Sequence, residues 1–302
     1  EDWKSIWREQ AYFYCYRKRC GYTYGQPLVS LRGNLGKKDT MMYVHISNTL
    51  YLSSYNINEQ TVWAYYKGIE KRSPRAIEGY PSSLYNLALL LKDKGLYCNI
   101  PVCFTSSENL LDFQRQLIEE RFHTKIFDHY GTTERTIRIS ESIKHDGYFE
   151  DPGYSINEYL KDRVISTSLI NSAFPLIRYQ SSDVVILKEN TKDERVFIDR
   201  IQGRSGNCIK GKDGSIYNNA ALTFILTYSH NIRYAQFIQK KNGKVLLNIV
   251  PEAGFSSQNL DELKQMIDLK IGLSNLELEI NLIKEQDLIY TTRNKYSYII
   301  SE

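Results

Sequence analysis

Residues 128–135 read Asp-His-Tyr-Gly-Thr-Thr-Glu-Arg, which places an aromatic ring, a glycine, two hydroxyls and a carboxylate side by side. Gly131 lets backbone approach a phosphate closely, Thr132 and Thr133 offer hydroxyls to phosphate oxygens, and Glu134 offers an oxygen ligand to Mg²⁺. The same residues also suit a plain turn with a capping Thr and an exposed Glu. Further along, Asp183 closes the run Arg178-Tyr179-Gln180-Ser181-Ser182-Asp183. Its two acceptor oxygens match a ribose diol, though a turn Asp looks the same. Arg204 carries a planar fork suited to anionic oxygens. Lys295, in the basic run Arg293-Asn294-Lys295, is an ammonium able to meet charge developing on a phosphate. Each is an ordinary surface residue when taken singly.

These residues need elements to hold them. Residues 81–94 carry Leu84, Leu87, Ala88 and Leu91 at helical offsets, with Pro81 suited to a first turn and Gly95 to a C-terminal cap. An apolar run from Ile100 to Phe104 predicts a strand. Thr105-Ser106-Ser107 then predicts a cap for a second helix over about Glu108 to Phe122. Its expected stripe is Leu110, Phe113 and Leu117, with Leu111, Ile118 and Phe122 beside it. A strand over Lys125 to His129 leads into the opening motif. Helices alternating with strands at this spacing imply a parallel sheet with crossover helices, whose ligands bind beyond the carboxyl ends of the strands. Ser107, Glu108 and residues 130–134 fall there.

From about residue 160 short strands with polar turns predict an antiparallel β-subdomain: Arg163 to Leu169, Leu176 to Tyr179, Asp183 to Leu187 and Val196 to Ile201. Gly203-Arg204-Ser205-Gly206-Asn207 reads as a flexible joint. The expected organisation is therefore an α/β chain. A large domain spans 1–203, its β-subdomain about 160–203, and a small α+β domain spans 204–302. In the small domain Asn242-Gly243 predicts a type I′ hairpin within Gln236 to Val250. A helix over about Leu260 to Ile271 and strands at Leu276 to Ile283 and Tyr296 to Ile300 complete it.

Composition narrows the classes. Hydrophobic residues at 42% and charged ones at 25% fit a globular core. A net charge of +4, dispersed along the chain, does not argue for nucleic acid. No apolar run approaches the length of a membrane span, and there is no secretory signal pattern. Five cysteines, an odd number, argue against a disulfide framework and for a cytoplasmic location. The shared four-residue gaps of Cys15–Cys20 and Cys98–Cys103, with His123 and His129 nearby in sequence, make a zinc site imaginable. The tight Cys-x-x-Cys spacing is absent, and buried thiols are the favoured reading.

Taken in order, Tyr-Gly-Thr-Thr-Glu, Tyr-x-x-x-Asp about 50 residues later, Gly-Arg about 20 further and a C-terminal Lys form a specific set. It resembles the adenylate-forming superfamily of acyl-CoA synthetases and adenylation domains. Glu78-Gly79-Tyr80-Pro81-Ser82-Ser83-Leu84 looks like its phenylacetate–CoA ligase branch. Ile209-Lys210-Gly211-Lys212-Asp213-Gly214 and Tyr234-Ala235-Gln236-Phe237-Ile238-Gln239 look closer to the capsular-polysaccharide-biosynthesis relatives of that branch. The resemblance implies ATP or AMP, Mg²⁺ and CoA as ligands, a small carboxylic acid as substrate, and a CoA or carrier-protein thiol as acceptor. It implies that Tyr130 lies against adenine with Ser107 and Glu108 opposite, and that Gly131 belongs to the nucleotide loop. Thr132 and Thr133 would contact phosphate or the acyl carboxylate. Glu134 would hold Mg²⁺, Asp183 would bind the ribose hydroxyls, Arg204 would support ribose or phosphate, and Lys295 would stabilise the α-phosphate. A small C-terminal domain that swings between half-reactions is implied as well.

Two features depart from that pattern. The family's Gly/Ser/Thr-rich phosphate loop does not occur, and the chain begins with Glu rather than Met, so an N-terminally shortened chain that adenylates poorly is the expectation. Gly206 and Asn207 stand where the family usually has acidic residues after Gly-Arg. Transfer to a carrier protein or amine, or a non-catalytic nucleotide-binding module, are the alternative functions.

Overall fold

The computed structural model describes all residues except 1, 33–34, 36–39, 108–109, 111, 161–162, 182, 189–196, 205–207, 219–221, 223–228, 290–297 and 302. Within the described residues the elements in chain order are α1 (Trp3–Arg19), β1 (Leu28–Arg32), β2 (Met41–Val44), β3 (Thr49–Ser53), α2 (Val62–Arg72), β4 (Ala76–Gly79), α3 (Pro81–Asp93), β5 (Val102–Ser106), α4 (Asp112–Phe122), β6 (Lys125–Gly131), β7 (Arg138–Glu141) and β8 (Tyr148–Glu150). Then come β9 (Ser155–Leu160), β10 (Arg163–Ser168), β11 (Tyr179–Ser181), β12 (Asp183–Leu187), β13 (Phe197–Arg204), β14 (Cys208–Lys210), β15 (Ile216–Asn218), β16 (Ile232–Gln239), β17 (Val245–Pro251), α5 (Ser257–Ile271), β18 (Leu278–Leu282) and β19 (Ile299–Ser301).

Two compact units result. One holds residues 1–181 and 185–201, the other 182–184 and 202–302. The first is built on a ten-stranded sheet in the order β12-β13-β8-β7-β6-β5-β4-β1-β3-β2. Its centre is parallel: β3, β1, β4, β5 and β6 run one way, and β6 to β8 continue antiparallel. Strands buried on both faces read as continuous apolar runs, as Val102-Cys103-Phe104 does. The mixed α/β class is the expected one.

Local chemistry explains the elements that reach the site. Asp2 accepts the Ser5 amide at 2.8 Å and starts α1, and Arg17, Lys18 and Arg19 end it with charge that suits the helix dipole. Pro81 opens α3, whose Leu84, Leu87, Ala88 and Leu91 are all fully buried. Gly79 sits where a Cβ would stand 3.0 Å from the Leu31 Cβ and 3.3 Å from Leu84, so a larger residue would have to push β1 or α3 aside by a few tenths of an ångström.

Several expectations are corrected. The second helix begins at Asp112 rather than Glu108. Ser107, five residues before it, has a left-handed backbone at φ 69° rather than the extended one of a helix cap. On α4 Ile118 and Phe122 are buried as expected, Leu117 is only half-buried, and Gln114 and Arg121 share the buried side. Antiparallel pairing is not confined to the region after about 160: β2 pairs antiparallel with β3, and β7 with β6 from Arg138, while β12 and β13 extend the main sheet and β9 to β11 form a separate three-stranded one. Leu176 lies outside any strand. Gly203 and Arg204 belong to β13 rather than to a joint, and residues 205–207 lie outside the described residues.

The second unit carries a four-stranded sheet, β18-β17-β16-β19, covered by α5, and a small β14-β15 ladder. Ser256 donates its amide to Asn259 Oδ1 at 2.9 Å to open α5. The β16-β17 hairpin forms, but its turn is not type I′. Gly243 alone is left-handed, at φ 89°, and its amide bonds to the Lys240 carbonyl at 2.9 Å. That is a turn over Lys241-Asn242 followed by a left-handed glycine, the bulged three-residue solution. The four cysteines Cys20, Cys98, Cys103 and Cys208 are buried free thiols, and Cys15 is exposed.

Candidate functional site

The carboxyl ends of β4, β5 and β6 finish along one edge of the sheet at Gly79, Ser106 and Gly131. The strand order reverses between β1 and β4, since β3 lies on one side of β1 and β4 to β6 on the other. Such an edge at a switch point is where doubly wound sheets bind ligands. Ser30 and Arg17 both bond to the Glu78 carboxylate there, bridging β1, β4 and α1.

The loop after β6 is held from within. Thr132 Oγ1 accepts the Thr136 amide at 3.1 Å and lies 2.9 Å from the Thr136 hydroxyl, and the Arg135 amide bonds to the Thr132 carbonyl at 3.0 Å. Thr133 and Glu134 are thereby left exposed at the tip. The Glu134 carboxylate accepts from the Tyr179 hydroxyl at 3.4 Å, the long end of the range. Tyr179 opens the Tyr-x-x-x-Asp run, so two motifs separated by 45 residues meet at this loop. Tyr130 packs on the apolar cluster of Ile137, Ile139, Val164, Val185 and Ile198.

Beneath the loop is a polar network that sequence reasoning did not assign. Asp128 accepts from the Thr105 hydroxyl at 2.6 Å and from the Tyr148 hydroxyl at 3.0 Å. Its amide donates to Glu141 Oε2 at 2.7 Å, while Arg115 donates to Glu141 Oε1 at 2.8 Å and His145 Nδ1 lies 3.1 Å from the same oxygen. Burial pushes the Asp128 carboxyl up to about 7, opposed by the Thr105 hydrogen bond and reinforced by the Glu141 charge. On the opposite face, burial and then the guanidiniums of Arg138 and Arg17 hold the His129 imidazole well below its usual range, so it is neutral. Its ring meets Phe13 edge-on at 5.1 Å. The available signal for Asp128 is a carboxylate at an inward position of the alternation Ile126, Asp128, Tyr130.

Ser107 ends the β5 crossover in a left-handed conformation on the same edge. Asp183 opens β12 and is half-buried. Arg204 ends β13, and its side chain lies outside the described residues, as do Glu108 and Lys295. Among the described residues no group of three or more His, Cys, Asp or Glu is arranged to hold a metal ion. The donor set at Glu134, one exposed carboxylate beside two threonine hydroxyls, fits Mg²⁺ held chiefly by water and substrate phosphates. No helix among the described residues is long and apolar enough to cross a membrane.

No family model matches the chain. Protein CapK of Staphylococcus aureus is 24% identical over 286 residues, 88% of this chain and 63% of CapK, so the chain spans less than two thirds of that curated relative. Among solved structures, 2-hydroxyisobutyryl-CoA ligase in complex with R3-HIB-AMP superposes with a TM-score of 0.65 at 15% identity, covering 100% of this chain and 70% of that one. McyG A-PCP complexed with phenylalanyl-adenylate gives 0.66 at 12% identity, covering 97% and 61%. The anthranilate CoA ligase AuaEII with anthranoyl-AMP gives 0.58 at 14%, covering 91% and 59%. At these identities the likeness is one of fold.

Proposed function

We propose that this chain, whose fold is that of the acyl-adenylate-forming ligases, activates a small carboxylic acid with ATP. The carboxylate oxygen attacks the α-phosphorus, the bond to the β-phosphate breaks, and pyrophosphate leaves. A thiol sulfur, that of CoA in a phenylacetate–CoA ligase-like reaction, then attacks the acyl carbon and AMP leaves. The supporting observation is the Glu134–Tyr179 contact, which joins the Tyr-Gly-Thr-Thr-Glu and Tyr-x-x-x-Asp runs beside the ends of the parallel strands.

In this reading Tyr130 presents its ring to adenine with Ser107 and Glu108 opposite, and Gly131 leaves room for backbone next to phosphate. Thr132 shapes the loop, and Thr133 binds phosphate or the acyl carboxylate. Asp183 accepts from the ribose hydroxyls, Arg204 supports ribose or phosphate, and Lys295 neutralises the α-phosphate as the adenylate forms. Glu134 would hold Mg²⁺, which draws charge from the phosphate oxygens when bound. Unit 202–302 is the mobile one, exchanging Lys295 for thiol-binding groups. A cytoplasmic setting follows from the CoA and ATP requirement.

Likeness to CapK and to an adenylation domain with its carrier protein favours a second reading, in which a carrier protein or amine accepts the acyl group. AMP binding and ATP–pyrophosphate exchange test the proposal; because no Gly/Ser/Thr-rich phosphate loop occurs in this sequence, the 302-residue chain itself is expected to exchange poorly or not at all. Saturating AMP, about 100-fold above its Kd, is expected to stabilise the chain by about 2.7 kcal/mol. Lys295→Ala is expected to cut exchange by about 10²-fold or more. No thermal shift with AMP would sink the nucleotide reading. AMP binding without exchange matches the missing phosphate loop, and for this chain the non-catalytic nucleotide-binding module is then the favoured reading. Exchange without CoA consumption would favour the carrier or amine acceptor.

A further inference from the structure

Arg135 closes the loop that carries Thr133 and Glu134, and its backbone is left-handed at φ 57°. A non-glycine residue keeps that conformation when its surroundings over-determine it, and such positions cluster at functional loops. Here the restraints come from three elements. Arg135 Nε donates to Glu9 Oε2 of α1 at 2.6 Å, with the two side chains only 12% and 17% exposed. Glu9 Oε1 accepts from the buried Tyr154 hydroxyl at 3.1 Å. The Arg135 carbonyl accepts from Ser168 Oγ, at the end of β10, at 2.8 Å. The Arg135 amide closes the turn on the Thr132 carbonyl at 3.0 Å.

We infer that the Glu9–Arg135 ion pair positions the loop, so that Glu9, remote in sequence and far from any motif, sets the geometry of Thr133 and Glu134. Arg135 is thus a positioning residue and not a catalytic one. The arrangement leaves the Thr133 hydroxyl and the Glu134 carboxylate at the exposed tip while the base of the turn is clamped between α1 and β10. The consequence for nucleotide affinity rests on the function proposed above; the anchoring itself does not.

Amide hydrogen exchange on the ligand-free chain tests the anchor directly. Glu9→Gln and Arg135→Met are expected to speed exchange of the Arg135 and Thr136 amides by about tenfold while β5 and α4 amides keep their rates. Arg135→Lys, which retains the charge, is expected to restore most of the protection. Unchanged loop exchange in Glu9→Gln, or acceleration spread evenly over β5, β6 and α4, overturns the inference. Calorimetric titration with AMP then reads the consequence, with Kd expected to rise about tenfold in Glu9→Gln and to recover in Arg135→Lys. If the unaltered chain binds AMP and Glu9→Gln binds it equally well, the positioning role is overturned. If the unaltered chain binds no AMP, the nucleotide reading falls, and the exchange comparison alone decides the anchor.

Discussion

Asp128 shows how a single buried carboxyl ties the site to pH. Its folded value of about 7 stands well above the ordinary value of 3.8. Below both values the group is protonated in either state and nothing is lost. Between them the unfolded chain releases the proton and the folded chain keeps it, so stability falls as pH rises, and the full loss is reached above pH 7. Asp128→Asn removes the ionisation while the amide still pairs with the Thr105 and Tyr148 hydroxyls. Denaturant titrations are therefore expected to favour the Asn variant over the parent by about 2–3 kcal/mol more at about pH 8 than at about pH 5. A difference that stays constant across that range would mean that Asp128 does not carry the shift. Nothing in the motif itself announces this behaviour. It comes chiefly from burial, reinforced by the Glu141 charge that the β6-β7 register brings near and opposed by the Thr105 and Tyr148 hydroxyls.

At the scale of elements, α4 separates what hydrophobic pattern can and cannot find. Ile118 is fully buried and Leu117 half-buried, so Ile118→Ala is expected to cost about 2–4 kcal/mol and Leu117→Ala less than about 1.5 kcal/mol. Equal costs in paired denaturation curves would contradict the placement of the helix face. The α3 stripe is legible because all four of its apolar positions point inward. The α4 face is legible only in part: Ile118 and Phe122 are buried as their spacing predicts, but Gln114 and Arg121 share that face, and aliphatic stems on polar residues are invisible to an apolar count. Asn242-Gly243 signals a hairpin correctly, yet the turn type depends on which residues pair across the strands, here Gln239 with Val245. The loop residues 130–134 are legible as one piece because they are contiguous. The Glu9–Arg135 pair is not, because its partners are 126 residues apart and only α1 packing brings them together.

At the scale of the whole molecule, each unit closes a core of its own. The first buries Ile77, Leu84, Phe104, Ile118 and Phe122 around its parallel strands; the second buries Phe237, Leu247, Ile249, Leu263 and Ile267 between its sheet and α5. Cores that share no residues need not melt together, and cooperativity then belongs to each unit rather than to the chain. Scanning calorimetry is expected to resolve two transitions. Leu247→Ala, which empties a fully buried position at about 2–5 kcal/mol, should lower only one of them, by several degrees, and Ile118→Ala only the other. The same experiment bears on the nucleotide: AMP held by Tyr130 and the Thr132–Glu134 loop should raise the transition that Ile118→Ala lowers. A single transition displaced as a whole by either substitution would show that the two cores are energetically one, and would remove the basis for treating residues 202–302 as a body able to move on its own.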